Sequence, residues 1–66
     1  MDLNALKSKV KESGMSMTYV AKRLEISRAS LYKKLHGDVE FKISEIATLS
    51  NVLHMSSEDR DSIFFS

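Results

Sequence analysis

Residues 16–37 read Ser16-Met17-Thr18-Tyr19-Val20-Ala21-Lys22-Arg23-Leu24-Glu25-Ile26-Ser27-Arg28-Ala29-Ser30-Leu31-Tyr32-Lys33-Lys34-Leu35-His36-Gly37. Two serines punctuate the stretch. Ser16 and Ser27 each precede a helical pattern, and a serine hydroxyl there accepts a hydrogen bond from an orphan amide of the first turn. After Ser16, Val20, Ala21 and Leu24 fall on one face; after Ser27, Leu31 and Leu35 do the same. The spacing predicts a helix over 17–24, a tight turn at Glu25-Ile26 and a second helix from Arg28 to about His36. Gly37 closes the second helix, where positive φ is wanted. Two short helices joined by a tight turn describe a helix-turn-helix at about residues 17–36. Ala21 is small where the second helix must cross the first, and Val20, Leu24, Ile26 and Leu31 supply the apolar contacts of that crossing.

Outward from this stretch the pattern stays helical. Leu3, Leu6 and Val10 mark a helix over 3–13, stopped by Gly14. Residues 38–42 read as a loop carrying Val39 and Phe41. A fourth helix fits Ile43 or Ser44 to Leu53, with Ile43, Ile46, Ala47, Leu49 and Leu53 as its apolar face. His54-Met55 is a connector. Ser56-Ser57-Glu58-Asp59 opens a short fifth helix, with carboxylates at the positive end of its dipole. That helix runs into Ile63-Phe64-Phe65, and three consecutive bulky residues cannot all face inward. The reading divides them between a lid over the core and a contact with a second subunit or partner. Met15, Met17 and Met55 are gap-fillers in a small core.

Composition sets the bounds. Sixty-six residues allow one domain, expected over 1–66, and 42% hydrophobic residues suffice for one compact core. No proline and two glycines leave too little turn chemistry for a β-sandwich or barrel, so the class is all-α with five helices. No cysteine is present to form a disulfide or thiolate site, and His36 and His54 lack a convergent ligand pattern. Neither a metal nor another cofactor is expected. Glu58-Asp59-Arg60-Asp61 lacks the loop glycine and spaced oxygens of a calcium site. No serine sits in a nucleophile elbow, and no catalytic residues or enzyme activity are expected. An apolar run long enough to span a membrane is missing, and the first residues do not read as a signal peptide, which fits a cytoplasmic protein.

Charge is unevenly placed. Residues 1–37 hold eight Lys and Arg against three carboxylates, a net +5, while residues 38–66 carry −4. A basic half suits a polyanion such as double-stranded DNA, whose condensed counterions are released when its phosphates are neutralised.

The stretch also resembles the phage lambda-type repressor and Cro group, which extends to the xenobiotic-response-element regulators. The resemblance rests on Ser16, Val20-Ala21, Leu24-Glu25-Ile26-Ser27, His36-Gly37 and the downstream helix from Ile43 to Leu53, and covers about residues 3–55. Three positions depart from that pattern. Glu25 stands where glycine is usual, and a glutamate with positive φ costs on the order of 1 kcal/mol. Met17 replaces a glutamine that often bonds a phosphate, and Lys34 replaces an apolar residue. The acidic and then aromatic ending resembles that of very short phage-encoded members, which implies a phage or prophage origin.

The resemblance implies a lambda-repressor-like DNA-binding domain acting by operator occupancy, as a homodimer with two recognition helices in successive major grooves. Arg28, Ala29, Tyr32, Lys33 and His36 share a face of the second helix. Arg28 is the expected guanine reader, Ala29 suits a thymine methyl, and Tyr32 completes the base-reading set. Lys33, Lys34 and His36 are expected at phosphates, joined by Ser16, Thr18, Tyr19 and Lys22 from the preceding helix. Lys7, Lys9 and Lys11 read as an ordinary wet face. A rival reading keeps the fold and changes the partner. The chain would then be an anti-repressor or repression modulator that binds a repressor protein, as Met17, the acidic second half and the apolar tail suggest. Ala21→Leu tests the packing common to both readings. Overpacking typically costs about 1–3 kcal/mol, a large share of so small a domain's stability, so thermal melting should show the fold lost.

Overall fold

The computed structural model describes residues 1–65; the last residue of the expected domain, Ser66, lies outside them. Five helices follow one another: α1 (Leu3–Glu12), α2 (Met17–Arg23), α3 (Arg28–Leu35), α4 (Ile43–Val52) and α5 (Ser57–Phe64). No strand occurs among the described residues. Four helices begin on a short polar side chain that accepts a first-turn amide. These are Asp2 from Ala5 at 3.0 Å, Ser16 from Tyr19 at 3.1 Å, Ser27 from Ser30 at 3.0 Å and Ser56 from Asp59 at 3.0 Å. Helix α4 begins differently, with the Lys42 amide donating to Glu45 Oε1 at 2.8 Å.

The helix ends explain how so few residues turn the chain so sharply. After α2, the Ile26 amide donates to the Ala21 carbonyl and the Glu25 amide to that of Lys22, both at 3.1 Å. That pair of bonds is a Schellman cap, and it requires left-handed backbone at Glu25, where φ is 59°. The same cap closes α3 at Gly37 and α4 at His54, where φ is 54°. Gly37 has a second reason to be glycine. A Cβ built there would lie 3.2 Å from the Leu3 side chain.

Helix α2 packs on α3 and α4, while α3 and α5 pack against α1. Leu6, Val20, Leu31 and Leu49 are fully enclosed where these elements meet. Phe41 enters the core from the α3–α4 loop and meets Phe64 edge-on, with ring centroids 6.1 Å apart.

Two expectations are corrected. Ile43 is 83% exposed, and Ala47 is exposed as well, because α4 turns a different face inward. Its buried residues are Glu45, Ile46, Leu49, Ser50 and Val52, a stripe that leaves positions 43 and 47 outside. Ile63 and Phe64 are not subunit contacts. Both lie in the core, and the Asp2 amide donates to the Ile63 carbonyl at 2.7 Å, joining the two ends of the described chain. Phe65 alone of the three is exposed, at 63%.

The polar stripe on α4 has a partner. Lys34 Nζ bonds Glu45 Oε1 with both side chains only 8% exposed, so an ion pair ties α3 to α4 inside the protein. Burial by itself pushes the Glu45 carboxyl up. Hydrogen bonds from Lys34 and the Lys42 amide, and the charges of both lysines, together hold it below its ordinary value of 4.5. A carboxyl depressed in the fold stabilises it above the unfolded value, and that contribution is lost as pH falls through the folded value. Thermal melts should therefore lose stability below about pH 4.5, and Glu45→Gln should flatten that acid limb. Glu45→Ala, which strands a buried ammonium, should cost about 3–5 kcal/mol at neutral pH in urea unfolding. Glu25→Gly should raise stability by about 1 kcal/mol in the same measurement, by relieving the left-handed glutamate.

Candidate nucleic-acid interface

Helix α3 is amphipathic in an unusual way: its buried side consists of Leu31, Lys34 and Leu35, and most of the rest faces water. Arg28, Ala29, Tyr32, Lys33 and His36 are all exposed. The i, i+4 spacing of 28, 32 and 36 becomes a physical stack. The Arg28 guanidinium carbon lies 5.7 Å from the Tyr32 ring centroid, and the Tyr32 and His36 rings stack at 6.2 Å with 26° between their planes. A guanidinium held on an aromatic face keeps its charge and its fork of donors while losing rotameric freedom. Ala29 and Lys33 form the neighbouring row, with Lys33 one turn beyond Ala29.

Lys34 must be removed from the expected phosphate set. Its ammonium is spent on Glu45 inside the protein and cannot reach a ligand on the outer face. Burying a lysine is tolerable there only because the carboxylate meets it.

Helix α2 presents Ser16, Thr18, Tyr19 and Lys22, all exposed. Ser16 is engaged as a helix cap, and its hydroxyl retains a proton to donate. The Tyr19 hydroxyl accepts from Arg23 Nη1 at 2.8 Å, with that guanidinium 5.8 Å from the ring centroid. Arg23 was missing from the expected set, although its i+4 spacing from Tyr19 was there to be read. Lys22 and Lys33 have no salt-bridge partner among the described residues, so their charges remain available to an anion.

Helix α1 divides its lysines. Lys9 turns to Asp59 of α5 at 3.2 Å. Lys7 and Lys11 instead border a cleft shared with Tyr32 and His36, which extends the positive surface beside α3. No local signal marks those two lysines, because only the packing of α1 on α3 brings them there.

No three of His, Asp and Glu gather as a metal site among the described residues, and no described helix is long and apolar enough to cross a membrane. Comparisons with curated proteins and with solved structures return no match. A family model does match. The Cro/C1-type HTH DNA-binding domain aligns with residues 5–59, from within α1 into α5, and takes in the whole of α2, its turn and α3. On that match and on these five helices, the chain belongs to the Cro/C1-type helix-turn-helix DNA-binding family.

Proposed function

We propose that this DNA-binding regulator acts as a single-domain repressor of the phage or Cro kind, covering an operator as a homodimer on DNA in a bacterial or phage-infected cytoplasm. The observation that carries this reading is the outer face of α3. Five side chains suited to DNA are exposed there, while Lys34 of the same helix is turned inward and paired with Glu45. Arg28, held on Tyr32, reads guanine through O6 and N7; Ala29 and Tyr32 complete the base-reading set. Lys33 and His36 clamp phosphates from α3, and Ser16, Thr18, Tyr19 and Lys22 do so from α2. One such module makes few base contacts, and a second copy on an adjacent half-site multiplies the effective affinity.

Salt titration of DNA affinity tests this directly. The log–log slope should have a magnitude of about 0.9 per phosphate contact. Arg28→Ala should narrow the gap between specific and random DNA by about 1–3 kcal/mol. Lys33→Ala should weaken both kinds of DNA alike and flatten the slope by about one unit. If neither change affects binding while a repressor protein captures the chain, α3 is a protein-binding surface and the chain modulates another regulator.

A further inference from the structure

A cleft of about 320 Å³ opens beside α3, between the later turns of α1 and the start of α2. Its floor is apolar, made by Val10, Met15, Met17 and Leu35. Lys7 and Lys11 stand on its rim one helical turn apart, and neither has a salt-bridge partner among the described residues. Such a floor is a poor seat for a phosphate. At the head of α2 the Met17 thioether donates no hydrogen bond, so the cations have no polar floor to work with. The surface suits a protein segment that carries carboxylates followed by a bulky apolar side chain, and methionines adapt well to such anchors.

This chain contains such a segment. On α5, Glu58 and Asp61 follow i, i+3 spacing away from the buried pair Ile63 and Phe64, and the exposed Phe65 follows at the helix's C-cap. Asp59 is already committed to Lys9, whereas Asp61 meets only its neighbour Arg60 at 3.3 Å. An exposed pair of that kind is easily exchanged. Charge spacing agrees as well: Lys7 and Lys11 lie one turn apart on α1 with Met15 beyond its end, and Glu58 and Asp61 lie one turn apart on α5 with Phe65 beyond its end. The protein's own α5 is held on the other side of α1, since Lys9 projects about 200° around the helix from Lys7.

We propose that α5 of a second copy docks in this cleft, with Glu58 against Lys7, Asp61 against Lys11, and Phe65 over Met15 and Met17. Cleft and helix lie on different sides of α1, so one docking contact is head-to-tail and leaves a free cleft and a free helix for further copies. The docked helix covers Tyr32 and His36, which makes self-association compete with DNA. Only that competition rests on the function proposed above; the docking itself does not.

Sedimentation equilibrium of the full chain, from micromolar to millimolar concentration, tests the docking. Mass should rise with concentration, and the association should weaken as salt is added. Lys11→Glu and Asp61→Lys should each weaken it by at least about tenfold. An equimolar mixture of the two variants should recover it, since a reversed helix then meets a reversed cleft and the remaining pair is native. Phe65→Ser should weaken it with the circular dichroism spectrum unchanged. A monomer at millimolar concentration, indifference to Lys11→Glu, or a mixture no better than either variant overturns the docking. An added duplex should dissociate the assemblies, and a duplex that joins them intact overturns the competition. A chain that passes the variant tests but ignores DNA overturns the proposed function and leaves the docking standing.

Discussion

Between Arg23 and Arg28 the chain must end one helix, reverse and cap the next within four residues, and the left-handed backbone at Glu25 makes that possible. The two amide bonds from Glu25 and Ile26 satisfy carbonyls that α2 would otherwise leave orphaned. Once they form, the directions of α2 and α3 are no longer independent, and Ala21 leaves room for them to cross. Every exposed side chain of α3 inherits its orientation from this turn. Glutamate is an inferior residue for the position, so the conformation is maintained by the packing of Val20, Leu24 and Leu31 around it.

The Lys34–Glu45 pair complements the turn at the far end of α3. Helices joined by an apolar core alone can slide or rotate by small amounts at little cost, whereas a buried ion pair has one good geometry. Net stability from such a pair is modest, because desolvation offsets most of the attraction. Its consequence here is directional. Glu45 accepts from Lys34 and from the first amide of α4, so one carboxylate oxygen sets both the start of α4 and the rotation of α3 against it.

The surfaces proposed above for DNA and for a second copy are neighbouring parts of one face. The Arg28–Tyr32–His36 stack lies on the exposed face of α3, and its last two members also wall an apolar cleft. A small domain has little surface to divide, and Tyr32 and His36 belong to both the cleft and the exposed face of α3.

The sequence by itself determined the elements. Serine caps, glycine stops and apolar spacing located five helices and the helix-turn-helix, because caps and periodicity are local properties of the chain. The left-handed turn at Glu25 was implied only by the family resemblance, which has glycine there. Exposure of Arg28, Ala29, Tyr32, Lys33 and His36 was legible for the same reason, since Leu31 and Leu35 fix the inward side. Tertiary structure alone decided the rest. Lys34 reads as one more basic residue on a basic helix until α4 brings Glu45 to it, eleven positions along the chain. Ile43 and Ala47 fit an apolar face by spacing, but that carboxylate and Val52 claim the inside of α4. Lys7, Lys9 and Lys11 look alike in sequence, and only the placement of α5 on one side of α1 and α3 on the other separates a bridge to Asp59 from two cations on an open cleft. Which partner a charge meets depends on which helices pack together, and that is a property of the assembled core.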